Sequence, residues 1–227
     1  LLIKMHILKD MVSVGMSSFA MNMAGAVTVS LTNFLLGSLS GDVAIASYGL
    51  IFRILMLEIM VLVGFVQGLQ PMIGYNYGAN KLDRVRESIR YTLRWTLTVG
   101  LIFMGLCEIF PSIVIKTFSS DPILIESTIT PLRIIMSTTF LIGIQMTFTT
   151  FFQSIGYAKI AFVLSIMRQI LLYIPLLLLL PIVFKLGVNG VWISFPISDS
   201  ITVLVSYLVF QKQSKTIFKK KLTLKAN

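Results

Sequence analysis

Apolar residues in this chain come in long unbroken runs, not in alternation with polar ones. Six runs can be read, at about 11–38, 43–68, 93–115, 129–153, 160–184 and 188–210. Each reaches or exceeds the roughly 20 residues that carry an α-helix across the hydrocarbon core of a bilayer. A barrel strand would be about half that length and would alternate apolar with polar positions. The pattern therefore predicts helices. Gly and Pro within the runs do not count against this, because membrane helices tolerate both. The expected fold class is an all-α integral membrane protein: a six-transmembrane-helix bundle over residues 1–211, followed by a basic tail at 212–227.

Composition sharpens the reading. The chain has 227 residues, of which 56% are hydrophobic and only 12% charged. A soluble domain carries about 25% charged residues to cover its wet surface. The mean hydropathy of +0.90 agrees. A soluble enzyme, a nucleic-acid module and a disordered tail are excluded as whole-chain readings. With short loops, each helix-plus-loop unit takes about 35 residues, which leaves room for about six spans. The net charge of +10 fits Lys and Arg retained on cytoplasmic loops better than nucleic-acid binding. The single cysteine, Cys107, lies in an apolar run and reads as a small buried hydrophobe.

Charge placement sets an expected orientation. Lys4 and Lys9 precede the first run. Lys81, Arg84, Arg86, Arg90 and Arg94 follow the second, Lys159 follows the fourth, and Lys212, Lys215, Lys219, Lys220, Lys221 and Lys225 follow the sixth. The opposite loops hold little beyond Lys116 and Lys185. The basic side faces the cytoplasm by the positive-inside rule, so both termini are expected there, as an even number of spans requires. Residues 69–92, opening Leu69-Gln70-Pro71, read as a loop leading into a charged amphipathic helix from about Leu82. Residues 117–126 read as an outside turn, with Asp121 before Pro122 as a helix-start signal.

Ionisable groups inside spans cost several kcal/mol (about 2.5–3.5 on insertion scales) unless they face protein or water, so each is a functional candidate. Glu58 lies near the middle of the second run and Asp199 near the middle of the sixth. Glu108 sits toward the outer part of the third. For Glu58 and Asp199 one reading is proton or cation coupling; the other is interhelical hydrogen bonding that holds the bundle together. Arg53, five residues before Glu58, is rotated from it by about 140° of helix and needs another partner. Arg133 and Arg168 lie near span ends, where snorkelling accounts for them. Asn22, Asn33 and Gln145 are candidates for lining a wet cavity; Thr28 and Thr32 share the first run with the two asparagines, and Thr138, Thr149 and Phe152 lie roughly on one side with Gln145, which makes Thr149 a further binding or coupling candidate. Ser194, Ser198, Thr202 and Ser206 recur every fourth residue and form a small hydroxyl face suited to close helix packing. Pro175, Pro181 and Pro196 are possible kink points. Twelve Met and sixteen Phe suit either an adaptable apolar pocket or ordinary lipid-facing surface.

The chemistry that is missing narrows function further. His6 is the only histidine. The sequence has no HExxH, CxxC, P-loop or G-x-S-x-G pattern, so neither a metal site nor a catalytic site is expected, and the chain does not read as an enzyme. No cofactor is expected.

One stretch is more specific. Gly64-Phe-Val-Gln67-Gly68-Leu-Gln70-Pro71-Met-Ile-Gly74-Tyr75-Asn76-Tyr77-Gly78-Ala79, followed by Arg84-Val85, resembles the loop signature of the multidrug and toxic compound extrusion (MATE) family, in its MepA-like branch. Gly41-Asp42-Val43-Ala44 with Tyr48-Gly49 and Arg53-Ile54-Leu55-Met56 is similar to the family's eighth helix. Phe118-Ser-Ser-Asp121-Pro122 resembles the turn before its tenth. Phe152-Gln153-Ser154-Ile-Gly156-Tyr-Ala158-Lys159, Arg168-Gln169, Gly190-Val-Trp192 and Phe195-Pro196-Ile-Ser198-Asp199 resemble its last three helices. The resemblance covers nearly the whole chain but only one lobe, helices seven to twelve, of a twelve-helix transporter. It implies a fragment of a longer polypeptide in a bacterial plasma membrane, with an N-terminal lobe as partner.

The implied function is multidrug efflux by antiport. Protons or sodium would flow in while lipophilic and often cationic compounds flow out. The seventh- and tenth-helix equivalents lack internal carboxylates, which departs from the sodium-coupled pattern; Glu58 then reads as a contact for cationic compounds. The signature residues Gln67, Gly68, Gln70, Pro71, Gly74, Tyr75, Asn76 and Gly78 are expected to be structural. A lipid-linked oligosaccharide flippase of the same superfamily and a non-transporting assembly subunit are the alternatives.

Overall fold

A computed structural model describes the backbone of residues 5–226 and the side chains of residues 23–218. In chain order the helices are α1 (Met5–Ser40), α2 (Asp42–Gly78), α3 (Leu82–Ile109), α4 (Pro111–Lys116), α5 (Pro122–Met136), α6 (Phe140–Ser154), α7 (Ala158–Ile166), α8 (Ile174–Leu178) and α9 (Gly187–Ala226), with π-helical stretches at Met167–Tyr173 and Leu179–Val183. Among the described residues there is no strand. Among the described residues, five continuous helical stretches, one of them Ala158–Val183, are long and apolar enough to cross a membrane, or six when α5 and α6, bent by 42° at their junction, count as one span.

The breaks have local causes. Gly41 (φ 75°) separates α1 from α2, and Asn80 (φ 56°) turns the chain between α2 and α3; both are positions that only residues tolerant of left-handed backbone hold cheaply. The predicted Asp121-Pro122 start is realised: the Asp121 carboxylate accepts the Ile123 N–H at 2.9 Å. Between α5 and α6, the Ser137 hydroxyl donates to the Ile134 carbonyl at 2.7 Å and the Thr139 hydroxyl to Met136 at 3.2 Å. Such local side-chain bonds compete with the helix ladder.

The structure corrects four expectations. The predicted loop from Leu69 is helix through Gly78, and only residues 79–81 turn. Exposed glycines weaken a helix by about 1 kcal/mol each, but Leu69 and Ile73 are 1% and 0% exposed and anchor this segment in the core. With 37 residues, α2 is about 55 Å long, well beyond the roughly 30 Å of hydrocarbon. The third run also breaks at Phe110 and Pro111, where a proline cannot continue the ladder. The fourth run, finally, is broken between Met136 and Phe140, while the basic tail continues α9 as helix to Ala226.

Two apolar clusters fill the bundle. One, around Leu36, Ile51, Leu132, Met136 and Trp192, sits toward the end that carries the Gly41 turn. The other, around Ile73, Val85, Phe151 and Phe152, sits toward the end with the 79–81 turn. Two crossings demand the absence of a side chain. A Cβ on Gly100 would lie 2.5 Å from the Phe140 Cα, so α3 and α6 meet backbone to backbone there. A Cβ on Gly190 would lie 2.6 Å from the Pro181 nitrogen, so α9 rests directly on the second π-helical stretch. The serine and threonine face of α9 packs as expected: Ser194, Ser198, Thr202 and Ser206 are all buried. Ser194 and Thr202 donate to the carbonyls four residues back, at 2.7 Å each, which satisfies them without a partner helix.

Candidate functional site, a polar pair between aromatic walls

The fifth span is built around two prolines that cannot donate a backbone N–H and whose rings crowd the carbonyl one turn back. The chain answers by widening. The Ile174 N–H bonds to the Gln169 carbonyl, and Phe184 to Leu179 at 2.9 Å, both five residues back. Wide turns of this kind re-aim side chains and concentrate at functional sites. Here the first wide turn contacts α9 and α1, and it carries Arg168 and Gln169.

Arg168 donates from Nε to the Asp199 carboxylate on α9 at 2.6 Å. The side chains are 27% and 6% exposed, so the pair is mostly withdrawn from solvent. This corrects the snorkelling expectation for Arg168: the guanidinium turns inward because a buried carboxylate on the neighbouring helix needs it.

The pair borders a cavity of about 340 Å³ between α1, α2, the first π-helical stretch and α9. Its apolar walls are Tyr48, Phe52, Tyr173 and Phe195, with Thr28 and Ser198 at the polar margin. Tyr173 packs on Phe195 with ring centroids 4.6 Å apart, and its hydroxyl pairs with the Thr32 hydroxyl at 3.0 Å. A second cavity of about 380 Å³ is lined by Gln145, Met146, Thr149 and Ser165. Ile59, Arg168 and Gln169 line both, so the two spaces adjoin across the arginine.

The sequence candidates distribute unevenly. Asp199 borders the first cavity; Gln145 and Thr149 line the second. Gln145 is buried and also donates to the Leu164 carbonyl at 3.3 Å. Glu58 is fully buried but lines neither cavity. It points into the bundle, beside Thr139 and Cys107. Neither of its oxygens has a partner at hydrogen-bonding distance and angle. Arg168 and Asp199 lie within electrostatic reach of it. Asn33 is half-buried on α1 and lines neither cavity, and the side chain of Asn22 falls outside the described residues. Of the signature residues, Gly68 and Asn76 line a separate groove described below. Thr138 sits in the break before α6.

Glu108 and Arg133 form a 3.9 Å pair between α3 and α5, with side chains 36% and 48% exposed; contacts of that kind contribute about 1 kcal/mol or less. Arg53 is exposed, with no ion pair among the described residues. Cys107 is buried, as expected. Sequence reading missed Arg168 as a partner, along with the four aromatic walls. The available signal was an arginine followed by an amide, seven residues before a mid-span proline.

Comparison with known proteins places this arrangement. The multidrug export protein MepA of Staphylococcus aureus (strain bovine RF122 / ET3-1) is 28% identical over 208 residues, covering 90% of this chain and 44% of that protein. MepA of Staphylococcus haemolyticus (strain JCSC1435) is 26% identical over 209 residues, covering 92% and 45%. The chain thus spans less than half the length of these relatives and corresponds to their C-terminal half. Among solved structures, an inward-facing multidrug resistance MATE family transporter of the MOP superfamily aligns with a TM-score of 0.86 at 21% identity, covering 96% of this chain and 50% of that one. A MOP superfamily transporter from Pyrococcus furiosus aligns with a TM-score of 0.84 at 21% identity, covering 95% and 48%. These likenesses establish the fold of one transporter lobe, in a chain with helices long enough to cross a membrane several times. The family model described as MatE matches residues 14–179, well over half the sequence, and the chain belongs to that family.

Proposed function

We propose that this chain forms the C-terminal lobe of a secondary multidrug exporter, which moves lipophilic, often cationic compounds out of the cell in exchange for an inward cation, with the proton as coupling ion. The carrying observation is a buried Arg168–Asp199 pair beside an aromatic-walled cavity, with a second buried carboxyl, Glu58, near it. Arg168 is bonded to Asp199 and lies within electrostatic reach of the unpartnered Glu58. With both carboxyls ionised, the trio carries one net negative charge, and a lipophilic cation in the cavity is attracted to it. With a proton on either carboxyl the trio is neutral, and that attraction is lost. Proton and compound then compete for the same charge, which is the logic of exchange. Tyr48, Phe52, Tyr173 and Phe195 supply apolar and cation–π surface of the kind that accepts varied aromatic cations. Glu58 lies behind the cavity wall, so its role here is to hold the proton, not to touch the compound.

In everted membrane vesicles or proteoliposomes carrying the full transporter, adding a lipophilic cation should release internal protons. Glu58→Gln, which keeps shape and removes the charge, is expected to cut this proton release at least tenfold while leaving the folded protein intact in detergent. Unchanged proton release from Glu58→Gln would exclude Glu58 as the coupling group. The same result from Asp199→Asn would remove the trio altogether.

A further inference from the structure

A third space, about 710 Å³, lies between α2 and α3, separate from both cavities at the arginine pair. On α2 it runs along Gly64, Phe65, Gly68 and Met72 to Asn76; on α3 it runs along Arg84, Ser88 and Tyr91 to Trp95. Both sets recur at helical spacing, so the groove follows the two helices lengthwise. Arg84 and Trp95 are eleven residues apart, about 16 Å along the axis. One end is cationic. Around the 79–81 turn, Lys81, Arg84 and Arg86 stand with Asp83 and Glu87. Asp83 is held by Arg86 at 3.5 Å, Glu87 lines the groove, and Arg84 has no ion pair among the described residues. The other end is apolar and aromatic: Phe65 and Trp95 stack with centroids 6.2 Å apart and planes 6° from parallel, and Trp95 is 56% exposed. The floor is open, because a Cβ at Gly64 or Gly68 would meet nothing within 4 Å.

A cationic mouth leading into an apolar trough has the charge and shape of a phospholipid: phosphate at the arginine, acyl chain over the glycines. Basic pockets between helices at a membrane surface bind anionic headgroups. We propose that the groove between α2 and α3 holds an anionic glycerophospholipid drawn from the leaflet at the arginine-rich end of the bundle. Phe65, Met72, Tyr91 and Trp95 cover its chain, and Arg84 meets its phosphate.

The test is native mass spectrometry of the intact transporter released from nanodiscs of equal parts phosphatidylglycerol and phosphatidylcholine. The wild type should retain phosphatidylglycerol at least tenfold over phosphatidylcholine. Arg84→Glu should abolish the preference, and Gly68→Trp, filling open space without a steric clash at Cβ, should reduce retention of both lipids. Lys212→Glu, a charge change outside the groove, should leave retention unchanged. Equal retention of the two lipids by the wild type would overturn the proposal. So would an effect of Lys212→Glu as large as that of Arg84→Glu, or displacement of the bound lipid by a stoichiometric lipophilic cation, which would make the groove a compound site.

Discussion

Removing the Asp199 carboxylate is the sharpest perturbation the structure offers. At 2.6 Å and an effective dielectric constant near 20, the Coulomb attraction to Arg168 is about 6 kcal/mol, much of it offset by desolvating both groups. Breaking such a pair from one side costs about 3–5 kcal/mol, because the partner stays buried with its charge uncompensated. The bond uses Nε alone and Arg168 is 27% exposed, so the lower end applies, about 3 kcal/mol. For a unit of 150–250 residues, the size of this lobe, 1 kcal/mol moves Tm by about 2–4 °C, so Asp199→Ala should lower the Tm of this lobe's transition in the detergent-solubilised transporter by about 6–12 °C. The double variant Arg168→Met/Asp199→Leu removes both charges and keeps volume. It should regain most of that loss while remaining inactive in transport. Thermal unfolding followed by intrinsic fluorescence at one fixed scan rate reads both. A drop under 2 °C for Asp199→Ala, or a double variant no more stable than the single, would refute the claim that this pair is withdrawn from solvent and mutually compensated.

Three further outcomes follow from named contacts. Gly100→Leu puts a branched side chain where even a Cβ would lie 2.5 Å from the Phe140 Cα; the yield of monodisperse protein by fluorescence size-exclusion should collapse, whereas Gly105→Leu, with open space at its Cβ, should not change it. Tyr173→Phe breaks the 3.0 Å bond to Thr32 but leaves Thr32 bonded to the Thr28 carbonyl; the loss should be about 1 kcal/mol in thermal unfolding. Phe195→Ala removes one aromatic wall and its contacts with Tyr48 and Tyr173; drug-susceptibility assays should show reduced export of bulky aromatic cations at near-normal expression.

Much was legible in the sequence because the bilayer imposes a one-dimensional rule. Every span must be long, apolar and internally hydrogen-bonded, so the runs announce themselves as helices, and Asp121-Pro122 announces a helix start. The resemblance carried by Gln67–Ala79 reached the right family even though the stretch turned out to be helix as far as Gly78, since recognition depends on residue identity and not on conformation. The hydroxyl face at Ser194, Ser198 and Thr202 was readable as packing because its four-residue spacing is itself a helical property.

What lay outside the sequence were relations between helices. Nothing in the residues around Arg168 says that it faces Asp199, thirty-one positions later; that follows from a widened turn near Pro175 and from the absence of a side chain at Gly190, which lets α9 come close. Glu58 and Asp199 look alike as lone carboxylates in apolar runs. The fold alone separates them, giving one an arginine and a cavity edge and enclosing the other against Cys107 and Thr139. Hydropathy and local spacing describe each helix by itself, and so they determine that the chain spans a membrane and roughly where. Which charges meet, and which faces enclose a space, depends on rotation and approach between helices distant in sequence, and only the packed bundle decides that.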